Sequence, residues 1–374
     1  MRVALVHDWL TGMRGGERCL EVFAEFFPDA DLFTLLHVPG SVSAKIERRR
    51  IHTSFIQRLP RAAASYRLYL PLFPSAIERF NLDGYDLVIS TSHCVAKGVK
   101  APPGAIHLSY IFTPMRYVWD LYGDYFGPDR AGWVTRSLMP FAARYLRRWD
   151  VASSRRVNHF VAISSYVADR VRRCYGREAD VIHPPVEVDR FQIGEESDGY
   201  DLIVSALAPY KRIDLAILAA NRLKRPLKII GTGQDESRLR KLAGPTVEFL
   251  GWRSDPDVAL AYARCRAVLF PGVEDFGIVP LEAMASGRPV IAFRGGGALE
   301  TIVPLGMTDD PPTGVFFDEQ SVEALVEAIQ YFEENADRFV PKLLRARAEA
   351  FDRPRFKERI ASYFQERVKG LRLC

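Results

Sequence analysis

The chain alternates short apolar runs with longer stretches in which apolar residues recur every three or four positions. The short runs, dense in Val, Ile and Leu, predict β-strands at residues 3–6, 87–89, 106–111, 160–163, 181–182, 202–207, 227–230, 247–250, 267–270 and 290–293. The periodic stretches predict helices between them, for example at residues 16–27, 213–224, 237–242 and 322–334. Apolar strands that alternate with helices are typical of parallel sheets covered on both faces, so the pattern predicts the α/β class.

A polar segment divides this alternation into two halves. Residues 184–199 are rich in Pro, Asp and Glu, and a new strand–helix series begins at Asp201. Because domains average about 150 residues, a chain of 374 residues suggests two of them. We predict Rossmann-like domains at residues 1–184 and 185–353, with ligands bound in a cleft outside the carboxyl ends of the strands. A terminal helix at about 354–374 is expected to pack back on the first domain.

Composition and charge narrow the class of protein without identifying it. The chain is 48% apolar and 26% charged, which is typical of a soluble globular protein. Five widely spaced cysteines with no C-x-x-C pair disfavour a disulfide framework or a structural zinc site. No apolar run approaches the length of about 18 residues needed to span a bilayer. The predictions are therefore a cytosolic location with reduced cysteines, and contact with a membrane only from its surface.

A short helix that follows an acidic loop has the clearest chemical pattern. After the predicted strand at 267–270 come Pro271 and Gly272, then the loop, then a helix of about two turns with Pro280 in its first turn and Gly287 at its C-terminal cap. A helix that starts at the carboxyl edge of a strand presents free N–H groups and its positive dipole end. This arrangement suits a diphosphate.

Two carboxylates, Glu274 and Glu282, lie at the start of that helix. Carboxylates accept hydrogen bonds from pairs of hydroxyls, as sugars and ribose supply them. One segment could therefore hold phosphate through its backbone and sugar rings through two acids. The same two acids also fit a solvated loop residue and an ordinary acid of a helix start.

Candidate phosphate ligands follow other predicted strands. Lys211 comes after the strand at 202–207, where an ammonium group can neutralise charge on a leaving diphosphate, although a solvated lysine at a helix start has the same pattern. Two glycine turns follow strands and let backbone approach a phosphate closely. Their residues are Gly15, Gly16, Gly231 and Gly233.

The first half contains candidates for binding an acceptor. Asp8 ends the first strand and could contact an acceptor hydroxyl, whereas His93 and His107, near other strand ends, fit structural histidines better than a catalytic base. Six arginines among apolar and aromatic residues between Arg48 and Arg67 suit an anionic membrane surface, or simply a solvated face of ordinary helices. The net charge of +5 and the lack of a recognisable motif argue against nucleic acid.

Taken together, the ordered motifs resemble the family 4 glycosyltransferases of the GT-B fold, in particular bacterial mannosyltransferases of surface polysaccharide assembly. The resemblance covers nearly the whole chain. The two acids in an E-x7-E spacing enclose Asp-Phe-Gly-Ile and are followed by Ala-Met-Ala-Ser-Gly-Arg-Pro-Val. The other matching segments are residues 7–9, 15–17, 113–117, 119–120, 182–186, 209–212, 249–252, 295–297 and 300–301.

The resemblance implies roles around the acidic loop. Glu282 would grip the ribose of a donor, and Glu274 would contact the hydroxyls of the transferred sugar. Backbone N–H groups of Phe276, Gly277 and Ile278 would meet the sugar or the phosphates. The segment is thus expected to hold the donor.

The chain departs from the family pattern at two positions. The family commonly pairs Lys211 with an arginine five residues earlier, where this chain has Ala206; Arg212 or Arg253 would supply the missing charge. The family often has a histidine where this chain has Phe112. The site that the resemblance implies therefore lacks two of its usual side chains.

The expected activity follows from the resemblance. It implies a retaining, metal-independent hexosyltransferase without a cofactor, and it favours GDP-mannose as donor and a lipid-linked or saccharide acceptor. The acceptor-side candidates are Asp8, His93, Arg116 and Asp120. Two alternatives stay open: a sugar-nucleotide epimerase or hydrolase, and a non-catalytic sugar-nucleotide-binding partner of a polysaccharide assembly complex. We expect a cytoplasmic protein, peripheral to the inner face of the plasma membrane.

Overall fold

The computed structural model describes residues 1–116, 118–119 and 133–368, with the backbone alone for residues 133–139. Across these ranges, no helix combines the length and the apolar character that a membrane crossing requires.

The chain forms two compact units. Unit 1 contains residues 1–184 and 356–374, and unit 2 contains residues 185–355. Each unit is built on its own sheet, and the named strands pair in parallel throughout both sheets. The predicted α/β class with two parallel sheets is confirmed.

The sheet of unit 1 has the order β3-β2-β1-β4-β5-β6-β7. Its strands are β1 Val3–His7, β2 Asp31–Thr34, β3 Ile51–Thr53, β4 Leu87–Ser92, β5 Ile106–Ile111, β6 His159–Ala162 and β7 Asp180–Val181. The central strands β1 and β4 are buried at every position, which explains their continuous apolar sequence. The apolar pattern did not predict β2 and β3, because strands of four and three residues leave too short a run to recognise.

Helices and short 3₁₀ turns connect the strands of unit 1. The α-helices are α1 Gly15–Phe26, α2 Ala44–Glu47, α3 Ala62–Ser65, α4 Phe73–Ile77, α5 Trp133–Ser154 and α6 Ser165–Tyr175. The 3₁₀ turns are Phe55–Arg58, Tyr66–Leu72 and Ala96–Gly98 in unit 1 and Val188–Arg190, Pro209–Lys211 and Ala336–Arg338 in unit 2.

The sheet of unit 2 has the order β10-β9-β8-β11-β12-β13. Its strands are β8 Asp201–Val204, β9 Leu227–Ile230, β10 Val247–Gly251, β11 Ala267–Phe270, β12 Val290–Phe293 and β13 Gly314–Phe317. Its α-helices are α7 Ile213–Leu223, α8 Glu236–Leu242, α9 Asp255–Arg264, α10 Ile278–Ala285, α11 Ala298–Thr301, α12 Val322–Glu334 and α13 Pro341–Glu349. The apolar pattern did not predict β13, and it predicted an end for β8 that lies three residues beyond the observed one.

The last helix of the described chain, α14 at Arg353–Arg367, packs within unit 1 along most of its length. Phe356 and Phe364 are both buried, and each ring meets Phe23 of α1 edge-on at 6.2 Å between centroids. Burying two phenylalanines stabilises the unit by several kcal/mol, at about 1.5–3 kcal/mol for each side chain.

Each sheet has one point where the direction of strand addition reverses. In unit 1 it lies between β1 and β4, and in unit 2 between β8 and β11. At such a switch point the connections leave toward opposite faces of the sheet, so a crevice opens outside the carboxyl ends of the two strands. The residues that follow these four strands are therefore the first places to look for a site.

Candidate active site

An ion pair joins the two strand ends at the switch point of unit 2. Lys211 ends the 3₁₀ turn after β8, and Glu274 lies in the loop after β11. The Lys211 ammonium group contacts Glu274 Oε1, with 13% of the lysine side chain and 22% of the glutamate side chain exposed. The pair is thus sheltered but still reachable by solvent.

Close backbone packing fixes the position of this pair. A Cβ atom on Gly272 would lie 2.8 Å from Lys211 Cα, so only glycine lets the loop after β11 approach the turn after β8 so closely. Gln320, which follows β13, donates a hydrogen bond of 2.8 Å from Nε2 to the Pro271 carbonyl. This bond supports the same loop. The sequence reading assigned no role to Gln320.

The loop that contains Glu274 also rests on the glycine turn after β12. Gly297 N–H donates to the Glu274 carbonyl at 2.9 Å. Cβ atoms on Gly296 and Gly297 would lie 2.3 Å from the Glu274 carbonyl oxygen and from Phe276 Cα, respectively. The glycines at 295–297, which the sequence reading gave only as part of a motif, hold the acidic loop.

The second acid, Glu282, is held by a tyrosine. Helix α10 begins after Gly277, whose φ of 89° lies in the left-handed region, and Glu282 is its fifth residue. Tyr262 of α9 donates its hydroxyl to Glu282 Oε2 at 3.0 Å. Burial, and then the charge and hydrogen bond of Glu282, hold the pKa of Tyr262 well above its usual value, so the phenol stays a proton donor.

The structure brings the predicted donor residues of the acidic segment together and leaves others apart. Phe276 is buried and its ring packs near that of Phe351, so its side chain belongs to the core of unit 2. Ile278 and Gly277 form the start of α10, as expected for backbone that meets a ligand. Glu274, Lys211 and this helix start lie around one switch point.

The structure gives the surroundings of the two arginines proposed to replace the missing charge at Ala206, and their role stays a prediction. The Arg212 side chain is held by Asp214 at 3.4 Å and by the Gln320 carbonyl at 3.5 Å. Arg253 follows β10, the edge strand, which lies two strands from β8. At about 4.8 Å between neighbouring strands, β10 is roughly 10 Å from the strand that leads to the pair.

The glycine turn after β9 packs on backbone. A Cβ atom on Gly231 would lie 1.9 Å from the Ser205 carbonyl oxygen, and one on Gly233 would lie 2.3 Å from that of Leu207. Both positions therefore require glycine, because the backbone there approaches the loop after β8 too closely for a Cβ atom. Their contact with a nucleotide stays a prediction.

At the switch point of unit 1, Asp8 is saturated by backbone. Its two carboxylate oxygens accept four N–H groups of the loop after β4, at 2.7–2.9 Å, from His93, Cys94, Val95 and Ala96. The Asp8 side chain is fully buried. Asp8 thus holds the end of β4 against the end of β1, and direct contact with an acceptor hydroxyl, which the sequence suggested, has no geometric support.

His93 lies beside Asp8 at the same edge. Its Nδ1 is 3.1 Å from Asp8 Oδ2, and 27% of its side chain is exposed. Its ring is 6.3 Å from that of Phe112, at the end of β5. A Cβ atom on Gly16 would lie 3.3 Å from Phe112 Cε2, so the phenylalanine and the glycine turn at the start of α1 are in close contact.

The other residues predicted on the acceptor side lie in different surroundings. Arg116 is half-buried. Asp120 lies outside the described residues. His107 is buried, with Nε2 2.9 Å from Ser90 Oγ, and burial lowers its pKa to about 3, as expected for a structural histidine. In the described ranges no three His, Cys, Asp or Glu side chains group around a possible metal position, and metal independence stays a prediction.

Comparison with known proteins finds a family match within unit 2. Residues 186–350 match the family model described as glycosyl transferases group 1. A GDP-mannose-dependent alpha-(1-6)-phosphatidylinositol monomannoside mannosyltransferase of Mycolicibacterium smegmatis is 31% identical over 231 residues, which are 53% of this chain and 57% of that protein. An O-antigen chain mannosyltransferase C of Escherichia coli is 31% identical over 38% of this chain and 40% of that protein. The chain spans about half the length of the curated relatives it matches.

Solved structures share the fold over most of the chain. The Anabaena protein Alr3699/HepE, solved in complex with UDP, has a TM-score of 0.70 at 16% identity and covers 98% of this chain and 100% of its own. The apo form of the lipopolysaccharide outer core galactosyltransferase WaaB has a TM-score of 0.66 at 16% identity, with 98% and 100% covered. At this identity the likeness shows the fold alone.

Proposed function

We propose that this chain, whose residues 186–350 are a glycosyl transferases group 1 domain, transfers a sugar from a nucleotide-diphosphate donor to a hydroxyl acceptor. The observation that supports the proposal most directly is the Lys211–Glu274 pair at the switch point of unit 2, beside the start of α10. A cation, a carboxylate and a helix N-terminus are the three groups that a diphosphate-linked sugar needs.

In this mechanism Lys211 acts on the leaving group. Without donor, the ammonium group is neutralised by Glu274, which holds it at the crevice. When the diphosphate binds, the lysine stabilises the negative charge that grows on it as the bond to the sugar breaks. Glu274 then accepts hydrogen bonds from hydroxyls of the transferred sugar and positions it.

The start of α10 completes donor binding. Backbone N–H groups of Phe276, Gly277 and Ile278 face phosphate or sugar oxygens, because this segment leads into a helix N-terminus, whose positive dipole end favours negative charge. Glu282, oriented by Tyr262, accepts hydrogen bonds from the donor ribose. The acceptor attacks from the face of the leaving group, so the configuration at the sugar carbon is retained, and no metal takes part.

Mannose from GDP-mannose is the donor we favour. The support comes from relatives that are described as GDP-mannose-dependent mannosyltransferases and match part of this chain. The acceptor we propose is a lipid-linked or saccharide molecule used in building cell-surface polysaccharide. The support is the name of the related protein of Escherichia coli, O-antigen chain mannosyltransferase C.

We also propose that unit 1 meets an anionic membrane surface at the inner face of the plasma membrane. Within the basic stretch of 48–67, Ile56 and Tyr66 are buried, whereas Arg61 and Arg67 are exposed. Leu68, the next residue, is 80% exposed. Unit 1 has 30 Lys and Arg against 19 Asp and Glu, a formal charge of +11, while unit 2 has 21 against 27, a formal charge of −6. This asymmetry favours unit 1 as the membrane-facing unit.

A ligand screen tests the donor, and a product assay tests the reaction. We expect GDP-mannose to raise the melting temperature of the full chain more than other nucleotide sugars, because a ligand that binds only the folded state stabilises it. Extracted lipid-linked saccharide should then gain a mannose. Donor binding without any glycosylated product would instead favour a non-catalytic binding partner, and release of nucleotide without product would favour a hydrolase.

A further inference from the structure

The carboxylate of Asp8 is fixed firmly enough to orient another side chain. Its four backbone hydrogen bonds use both oxygens, and the residue has no exposed surface. Oδ2, which accepts two of these bonds, is also 3.1 Å from His93 Nδ1. A carboxylate in this position accepts the Nδ1–H of a histidine and thereby selects the tautomer of the ring.

A second contact fixes the plane of the His93 ring. Trp9, which is 3% exposed, meets it edge-on, with 4.4 Å between centroids and 87° between planes. With Nδ1 directed at Asp8, the other nitrogen, Nε2, points away from it. Among the described residues Nε2 has no hydrogen-bond partner, and this nitrogen is not buried.

The protonation of His93 favours an accepting nitrogen. Burial lowers the pKa of His93, and the nearby charge of Asp8 opposes that effect only in part. A neutral imidazole whose Nδ1 carries the proton has a lone pair on Nε2. Such a nitrogen accepts a hydrogen bond from a hydroxyl and has no positive charge to offer a phosphate.

The surroundings narrow the class of ligand further. His93 follows β4, at the switch point of unit 1, where the fold opens a crevice. Its half-buried neighbour Phe112 provides no competing side-chain acceptor. The charge of the buried Glu17 carboxylate also acts on His93, but that carboxylate accepts the Arg14 N–H at 3.0 Å. His7, on the other side, is buried, and its Nδ1 is 2.7 Å from Thr91 Oγ1.

We propose that His93 Nε2 accepts a hydrogen bond from a hydroxyl of a sugar bound at this edge of unit 1, and that Asp8 is the positioning residue that aims it. The inference rests on the proposed function and deepens it, because it names a group of unit 1 that holds a substrate hydroxyl. Phe112, which stands where the family often has a histidine, has no side-chain atom that could accept such a hydrogen bond.

Unit 1 contains a matched control for this pair. His52 on β3 is 34% exposed, has Nε2 3.3 Å from Asp31 Oδ1, and stacks on Phe33 at 4.6 Å. It shares with His93 a carboxylate, an aromatic neighbour and a similar exposure. It lies on the edge strand rather than at the switch point, so it should bind no substrate.

The kinetic test compares His93→Phe, His93→Gln and His52→Phe in the full chain. Losing one hydrogen bond to a substrate hydroxyl should raise the acceptor KM of His93→Phe about tenfold and leave the donor KM unchanged. The amide of His93→Gln can again accept a hydrogen bond and should recover part of the loss. His52→Phe should match wild type. Equal losses in both phenylalanine variants, or no change in the acceptor KM, would overturn the proposal.

A spectroscopic test gives an answer even if no transfer reaction is found. Nitrogen-15 shifts of the histidine rings should show His93 as the neutral Nδ1–H tautomer, and titration with methyl α-mannoside should shift Nε2 of His93 but not the ring of His52. A wild-type enzyme without product but with this selective shift would reject the proposed function and keep the hydroxyl site. No shift of Nε2 with added sugar would reject the site.

Discussion

The two switch points of the molecule each join neighbouring strand ends through a carboxylate, but they use it in opposite ways. In unit 1, Asp8 accepts four backbone N–H groups and is fully buried. In unit 2, Glu274 is held by the Lys211 side chain and is 22% exposed. Backbone amides cannot move away when a ligand arrives, whereas a lysine side chain can. A carboxylate saturated by backbone therefore fixes structure, and one held by a side chain stays available to a substrate.

Removing the buried carboxylate should give the largest effect. Asp8→Ala leaves four backbone N–H groups without their acceptor, so we expect the free energy of unfolding to fall by about 3–5 kcal/mol, measured by urea denaturation. Glu274→Ala, at the other switch point, should change it by about 1 kcal/mol or less, because partly exposed ion pairs contribute little. Similar losses in the two variants would remove the contrast between the switch points.

Removing the ammonium group of Lys211 should reduce turnover rather than stability. We expect Lys211→Ala to lower kcat by about 100- to 1000-fold, since it removes the group that stabilises the leaving diphosphate. Steady-state kinetics with GDP-mannose measure the effect. Lys241→Ala, an exposed lysine of α8, is the control and should keep the wild-type kcat. A wild-type kcat in Lys211→Ala would contradict the assigned role.

The second acid of unit 2 should affect donor affinity. Glu282→Ala loses charged hydrogen bonds to the ribose, so we expect the donor Kd to rise about 10- to 100-fold by calorimetry. Tyr262→Phe keeps Glu282 but loses the hydrogen bond that orients it, and should raise the Kd only a few-fold. Unchanged donor binding in Glu282→Ala, with the exposed Glu248→Ala as control, would remove Glu282 from the site.

The charge contrast between the units gives a smaller effect. At about 1 kcal/mol for each basic residue near an anionic surface, Arg61→Ala with Arg67→Ala should weaken binding to phosphatidylglycerol vesicles about 30-fold. The matched double change in unit 2, Lys224→Ala with Lys241→Ala, should leave vesicle sedimentation unaltered. Equal binding to phosphatidylcholine vesicles would contradict an electrostatic surface.

The smallest expected effect concerns acid stability at the edge of unit 1. Burial would raise the pKa of Glu17, but its other interactions, chiefly with His7, whose Nε2 lies 3.7 Å from Glu17 Oε1, outweigh burial and hold that pKa below its ordinary value of 4.5. A lowered pKa means that Glu17 stabilises the fold above about pH 4.5 and that this contribution is lost as the pH falls through the folded-state pKa. Glu17→Gln should therefore lose less unfolding free energy on acidification than wild type. Glu21→Gln on the same helix is the control, and an identical acid profile for Glu17→Gln would contradict the prediction.

Local pattern predicted part of the molecule well. Strands β4, β5, β9 and β11 and helix α10 could be located from apolar runs and from Pro280 and Gly287, because burial and capping leave a signature in neighbouring residues. Strands β2 and β3 could not be located in this way, because four and three residues are too few to show a hydrophobic period. Local pattern offered the acids Glu274 and Glu282 and the cation Lys211 as candidates, because each follows or begins a recognisable element. The family resemblance, rather than local pattern, gave them their expected roles.

What the sequence by itself determined is the α/β alternation, the division near residue 184 and the acidic segment beside a helix start. Only the tertiary structure decided which of these groups meet. It paired Lys211 with Glu274, gave Glu282 its tyrosine and placed Arg212 beside Asp214. It also closed Asp8 with backbone N–H groups of the loop after β4, which begins 85 residues away. The reason is physical: strand and helix signals arise from near neighbours, whereas the partners of a charged side chain depend on sheet order, which no local pattern contains.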